Sequence, residues 1–229
     1  MESHKKTHKK YEMVIVPIGA CEQHGPHLPL AVDTIDCYEV AKRVSARTGV
    51  PVIPPVTYGC SQSHGDFPGT LSIRPETMMR MICDIVEWLY RGGIGKILLL
   101  NGHMWNWGPI YSARENIHYD FPDIQVRVLD WWAAKPDIMT QSVKDCPVLL
   151  SYVHANIGKT SCMLAVRPDL VNMADAVDEK DYEHSSSIEW INIQSRALLA
   201  EKQLKPNRNS EKRFLQWLSI ILRQWLKTH

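Results

Sequence analysis

The segment Met13 to Asp33 reads MVIVPIGACEQHGPHLPLAVD. Its apolar first part, Met13 to Ala20, reads as a buried β-strand. The chain then presents Glu22, His24, His27 and Asp33 within thirteen residues, Cys21 to Asp33, with Pro26 and Pro29 stiffening the path between them. Glu22 and His24 are separated by one residue, so in an extended segment both side chains project to the same side. What a hydrophobic strand gains by ending in a set of oxygen and nitrogen donors depends on the rest of the chain.

Working outward, strand and helix signals alternate. A helix starts near Asp33 or Thr34, and Pro51 to Val56 reads as a second strand. From Glu76 to Tyr90 apolar residues recur at Met78, Ile82, Ile85, Val86 and Leu89, one face of an amphipathic helix. The GGIG stretch (Gly92 to Gly95) ends that helix, as glycines past a C-terminus do. KILLLNGH (Lys96 to His103) is a buried strand running into a loop, IQVRVLD (Ile124 to Asp130) is an alternating strand, and SCMLAV (Ser161 to Val166) reads as a further one. The repetition predicts βαβ units: a three-layer α/β/α fold with a mostly parallel sheet, in one domain over residues 1–229, with 1–12 as a frayed N-terminus. The polar stretch from Asp175 to Ser210 reads as a surface excursion. Glu211 to Leu226 reads as a C-terminal helix, apolar on one side at Phe214, Leu218, Ile221 and Leu222.

Composition narrows the function classes. A hydrophobic content of 45% and a net charge of +1, from 26 Lys and Arg against 25 Asp and Glu, describe a globular chain rather than a disordered one. That balance lacks the basic footprint of a nucleic-acid partner. The run HKKTHKK (His4 to Lys10) reads as a solvated end. No apolar run reaches bilayer length, no signal peptide is recognisable, and so no membrane association is expected. The six cysteines are scattered without a C-x-x-C pair, which fits reduced thiols in the cytoplasm.

In open parallel sheets ligands bind outside the carboxyl ends of the strands. Three groups fall there: Glu22, His24 and Asp33 after the first strand, Asn101-Gly102-His103 after another, and His154 before a later one. Asp33 either caps the helix it begins or turns its carboxylate to a metal, and His27 reads as a packing histidine. Carboxylate and imidazole ligands suit Zn²⁺, Mn²⁺ or Fe²⁺ without a thiolate.

Four motifs carry a resemblance to a known family: VPIGACEQHGPHLPLAVDT (Val16 to Thr34), YGCSQSHGDFPGTLSI (Tyr58 to Ile73), LLLNGHMWN (Leu98 to Asn106) and TSCMLAVRPDLV (Thr160 to Val171). Together, over about Met13 to Val171, they resemble the creatininase (creatinine amidohydrolase) family. The resemblance implies a dinuclear metal hydrolase that opens small cyclic or amide substrates, and a homo-oligomer, a hexamer first. By motif position Glu22, Asp33 and His103 would hold one metal, and His24 with a bridging Asp33 the second. The cofactor would be a divalent metal, Zn²⁺ before Mn²⁺ or Fe²⁺, one or two per chain. His154, in YVHAN, would transfer protons; Trp132, in DWWAA, would close the site; His64 would line the opposite wall; and the tryptophans of MWNWGP (Met104 to Pro109) could stack a planar ring.

The departures from the family pattern bear on the second metal. Trp105 stands where creatininase proper has a glutamate, Val153 replaces the glutamate before the family histidine, and Lys159-Thr160-Ser161 replaces the usual E-T-S. Lys159 either faces solvent or sets its ammonium where a second cation would sit, holding an oxyanion or substrate carboxylate. The family's short helix before the first strand has no counterpart in MESHKKTHKKYE, a truncated start or a loss.

A divalent cation that lowers the pKa of water toward neutrality would make a Ser or Cys nucleophile unnecessary, and the chain has no G-x-S-x-G elbow. Within the enzyme class the alternative is a C–C ring-opening hydrolase of a cyclic diketone or oxidised inositol. The alternative from another class is a non-catalytic metal-binding homologue.

Overall fold

The computed structural model describes residues 12–132, 154–155 and 157–176. Strand β1 (Met13–Ile18) is followed by helix α1 (Val32–Thr48), helix α2 (Pro75–Arg91), strand β2 (Lys96–Asn101), helix α3 (Trp107–Asp120), strand β3 (Gln125–Asp130) and helix α4 (Ile157–Val166). The three strands lie parallel in the order β1-β2-β3, with Ile18, Asn101 and Asp130 in register at their carboxyl edge.

The two-residue period of the strands divides the core into two. Met13, Ile15, Leu98 and Leu100 pack against Cys37, Val40, Ala41 and Val44 of α1. Val14, Val16, Ile97, Leu99 and Val126 pack against Met78, Ile82 and Val86 of α2 and Ile110, Ala113 and Ile117 of α3. Both faces of the sheet are therefore covered by helices, which gives the three layers that the alternation predicts. Among the described residues no helix is long and apolar enough to cross a membrane, and Cys21, Cys37, Cys60, Cys83 and Cys162 are free thiols.

Two expected strands come out differently. Pro51 to Val56 runs parallel beside β1 but meets it only at isolated bridges, Ile15 with Val52 and Ile18 with Val56. Pro51, Pro54 and Pro55 have no N–H to donate, so Ile53 and Val56 supply the segment's donors to β1. SCMLAV is not a strand: it forms the body of α4, with Met163 buried against Leu28 and Val32. Six apolar residues satisfy either period, and Cys, Met, Leu and Ala carry little β-branching to favour extension. The expected C-terminal helix, the polar excursion beyond residue 176, Val153 and the N-terminal end up to residue 11 lie outside the described residues.

One contact fixes how α1 meets the sheet edge. Gly102 N donates to Ile18 O at 2.7 Å, so the chain leaving β2 hugs the end of β1. A Cβ on Gly102 would lie 2.2 Å from the Asp33 carbonyl oxygen and 3.1 Å from Cys37 Cβ. Only a residue without a side chain lets the first turn of α1 come this close to the end of β2.

The substitution Gly102→Ala should therefore destabilise the chain by about 2–3 kcal/mol, the overpacking range, because the clash is with backbone that cannot swing aside. Thermal unfolding followed by circular dichroism reads this as a drop of several degrees; an unchanged midpoint would contradict the close approach.

Candidate metal centre

Glu22 is carried by the segment leaving β1, Asp33 by the first turn of α1, and His103 by the loop leaving β2. Asp33 makes no capping hydrogen bond. Ala31 is the N-cap residue of α1, and the Asp33 carboxylate turns inward, so the capping alternative falls away. The loop bearing His103 is held by Asn101, whose Nδ2 donates to His103 O and to Asp130 Oδ1, each at 2.8 Å, while His103 N donates to Asn101 Oδ1. Asn106 Nδ2 donates to Gly19 O at 2.9 Å, which ties that loop to the end of β1.

The result is a set of buried groups that converge. Glu22, Asp33 and His103 bring ligand atoms within reach of one ion, and Glu22, His24 and His154 form a second such group that shares Glu22 with the first. His154 thus stands beside the carboxylates, and the group around His24 takes Glu22 as its shared carboxylate. Asp33 remains close to it, with Oδ1 3.3 Å from His24 Nε2.

The three histidines follow one rule. His24 Nδ1 donates to Glu22 O at 3.2 Å, His103 Nε2 to Cys60 O at 3.1 Å, and His154 Nε2 to Gln23 O. A carbonyl oxygen can only accept, so each of these nitrogens carries the ring hydrogen. In the neutral ring the other nitrogen then has a lone pair, and each points it at a carboxylate. His24 Nε2 faces Asp33; His103 Nδ1 lies 3.0 Å from Asp33 Oδ2 and 3.2 Å from Glu22 Oε1; His154 Nδ1 lies 3.6 Å from Glu22 Oε1. Lone pairs opposed to carboxylates repel unless a cation or a proton lies between them. With His103 neutral, neither oxygen of the buried Glu22 carboxylate accepts a hydrogen bond within the described residues, nor does Asp33 Oδ2. A divalent metal ion fits this donor set, since it satisfies the orphaned oxygens and the imidazole lone pairs at once.

Charge at the site follows from the same neighbours. Burial favours neutral His103, but Asp33 and Glu22 outweigh it and hold the ring up to about 10. Burial opposes ionisation of Asp33, yet Lys159, His24 and His103 keep it well below the usual carboxylate range. His154 is pushed well below the ordinary histidine value by burial and by His24 and His64. Its ring lies tilted against those two, with centroids 4.3 and 4.2 Å away, an arrangement that suits neutral rings. His64 is buried and receives Gln23 Nε2 at 3.0 Å on its Nδ1. His27 is buried outside the convergence, 3.1 Å from Thr160 Oγ1, as a packing histidine would be. Ala155, directly after His154, takes the left-handed φ of 50°, a conformation that costs a non-glycine residue about 1 kcal/mol.

Lys159 does not face solvent. Its Nζ lies 2.5 Å from Asp33 Oδ1, and Trp132 packs nearby, edge-on to Trp131. Trp105 is 55% exposed and lines a groove of about 710 Å³ with Pro75, Met79, Met104 and Trp107; none of Glu22, His24, Asp33 or His103 lines it. Sequence reasoning passed over Asp36, which is buried one helical turn from Asp33 with Oδ2 3.9 Å from Lys159 Nζ. Burial lifts its carboxyl to about 7, against the pull of Lys159. The i, i+3 spacing on α1 was the signal that could have found it.

The Creatininase family model, described as creatinine amidohydrolase, matches residues 1–207 of the chain. A creatinine amidohydrolase of Pseudomonas putida is 33% identical over 192 residues, covering 75% of this chain and 74% of that protein. A 3-dehydro-scyllo-inosose hydrolase of Thermotoga maritima is 29% identical over 176 residues, and a mycofactocin precursor peptide peptidase of Mycolicibacterium smegmatis is 32% identical over 175. The matches take in 74% and 72% of this chain but only 55% and 62% of those two proteins. Among solved structures, a creatininase variant described as Zn-Zn type superposes with a TM-score of 0.81 at 26% identity, covering 94% of this chain and 89% of that one. A structure described as Creatininase Mn superposes with a TM-score of 0.75 at 27% identity, covering 94% and 90%.

Because the carboxylates hold a proton on His103 up to about pH 10, an ion entering the site must displace that proton. Affinity for Zn²⁺ or Mn²⁺ should therefore rise with pH, by about tenfold per unit below that value, with close to one proton released per ion. Calorimetric titrations of the metal-free chain between about pH 6 and 8, in buffers of differing ionisation heat, would read both quantities. Affinity independent of pH would contradict the cationic His103.

Proposed function

The chain belongs to the creatininase family, and on that premise we propose that it is a divalent-metal-dependent hydrolase of a small cyclic or amide substrate. Glu22, Asp33 and His103 hold the ion, and His24 stands beside it. The observation that carries this reading is the buried Glu22 carboxylate, unsatisfied within the described residues and faced by ring nitrogens of His103 and His154. A lone buried carboxylate costs several kcal/mol, a cost offset when it ligates a cation. The solved relatives described as Zn-Zn type and Creatininase Mn favour zinc or manganese.

When bound, a divalent ion supplies acidified water and polarisation of a carbonyl oxygen. The chain's own residues do the rest. His154 moves the proton: its Nε2–H is engaged by Gln23 O, its Nδ1 is free of a proton in the neutral ring, and it is more accessible than His24 or His103. It accepts a proton at Nδ1 from water and returns it to the leaving atom. His24 and His64, packed against it, keep the ring oriented and disfavour a lasting positive charge on it. His64, against the ring of this proton carrier, and Trp132, beside Lys159, are proposed substrate contacts, and Trp105 is a further one from its motif position. The Thermotoga relative's name leaves ring opening of a carbocycle as the second reading, and product analysis on lactam, cyclic diketone and short amide substrates separates the two.

We assign the reaction to the cytoplasm on the scattered, free cysteines, and read the protein as a single domain. We also read it as a homo-oligomer, a hexamer first. Large aromatic side chains left exposed at Trp88, Trp105 and Tyr119 support that reading. Sedimentation at micromolar concentration should give a species of several chains, and a single-chain species alone would remove this part of the proposal.

Chelation should abolish hydrolysis, and added Zn²⁺ or Mn²⁺ should restore it. The Asp33→Ala variant should fold yet lose both metal and activity. His154→Ala should keep its metal while turnover falls on the order of 10²–10⁴-fold, the usual contribution of a proton carrier. Loss of metal from His154→Ala would make His154 a ligand instead, and full metal in Asp33→Ala would refute the ligand set.

A further inference from the structure

The Lys159 ammonium reaches the centre from α4. Besides Asp33 Oδ1 at 2.5 Å, it donates to Gly102 O at 3.0 Å. The rings of Trp131 and Trp132 lie 5.4 and 5.5 Å from it, and 18% of the side chain is exposed. Resting on the reading that Glu22, Asp33 and His103 hold a divalent ion, we infer that Lys159 is a built-in second cation: it takes the Asp33 oxygen that a second ion would need, so that the chain binds one divalent ion and not two.

The division of the Asp33 carboxylate carries this inference. Oδ2 faces His103 Nδ1 and belongs to the group with Glu22. Oδ1 faces His24 Nε2 at 3.3 Å and is the oxygen through which Asp33 could bridge to an ion on His24 and His154. Lys159 occupies that oxygen at hydrogen-bond distance. An ion on His24 and His154 would be left with Glu22 as its sole carboxylate, shared with the first ion.

Charge balance leads to the same place. The centre holds at most three negative charges, on Glu22, Asp33 and, behind them, Asp36. One divalent ion and the ammonium bring three positive charges against these three. Two divalent ions and the ammonium would bring five, in a buried site where the excess is poorly screened. Nor does the ammonium readily swing away, because Gly102 O and the two indole faces hold it from other sides.

The test compares the wild type with Lys159→Gln and Lys159→Glu, each stripped with chelator, loaded with Mn²⁺ and freed of excess. Elemental analysis should give one Mn²⁺ per wild-type chain, and low-temperature electron paramagnetic resonance a single-ion six-line spectrum. Removing the ammonium should move the stoichiometry toward two and bring in a spin-coupled signal from paired ions. Circular dichroism checks that each variant folds; if Lys159→Glu does not, Lys159→Gln and the near-isosteric Lys159→Met carry the readout. Two ions in the wild type, or one ion in every folded variant, would overturn the inference. No bound metal in the wild type would instead overturn the metal reading beneath it.

Discussion

Two carboxylates, Glu22 and Asp33, are shut away from water at the end of a hydrophobic sheet, and the rest of the site answers that constraint. Desolvated charge of one sign is among the costliest features a fold can carry. The surrounding groups respond in two ways. Lys159 meets Asp33 Oδ1 directly, and His24 turns a nitrogen to that same oxygen, while His103 and His154 turn theirs toward Asp33 Oδ2 and Glu22 Oε1. Those imidazoles are poised as ligands, since each donates one ring N–H to a backbone carbonyl and turns its other nitrogen to a carboxylate.

The backbone does most of the positioning. The carbonyls that orient the histidines belong to Glu22, Gln23 and Cys60, in the segments that run out from the sheet edge. These segments are tied together by buried amides: Asn106 joins Gly19 to the loop after β2 and accepts from Cys60 N, and Asn101 joins that loop to Asp130 on β3. Trp107 Nε1 donates to the same Asp130 oxygen at 2.8 Å. A site built on such cross-links keeps its geometry without depending on mobile side chains, which is what a ligand set with short, directional bonds requires. The bare backbone of Gly102 completes the arrangement by letting α1 approach β2 closely enough for Asp33 to reach His103.

His154 and Lys159 stand more than a hundred residues beyond Glu22 and Asp33 in the sequence, and they bring opposite electrostatic characters. His154 sits among other imidazoles and is held neutral; Lys159 sits among carboxylates and is held charged. The same stretch of chain thus supplies a group that can carry a proton transiently and a group whose charge is permanent. Their separation by only five residues shows how sharply the local field changes across the cluster.

The sequence by itself determined the layered fold and which polar groups gather at the sheet edge. Met13 to Ile18 and Lys96 to Asn101 are apolar throughout because both faces of a parallel sheet are buried, and the 3.6-residue stripe of α2 can be read without a partner. Glu22, His24, Asp33 and His103 were legible as candidates because polar donors clustered at the ends of buried strands are costly to desolvate unless they bind something. The nature of SCMLAV was not, since six apolar residues suit either period and packing against Leu28 and Val32 decides for the helix. Nor was the failure of Pro51 to Val56 to form a regular strand, which depends on which of its N–H groups face β1. Tertiary structure alone decided that Asp33 turns inward instead of capping α1, that Glu22 is shared between both candidate groups, that Asp36 lies behind them, and that Lys159 points at Asp33 and not at solvent. Each of these is a matter of direction and distance between residues remote in the chain, and a side chain's orientation is set by the field and the space it meets only after the chain has folded.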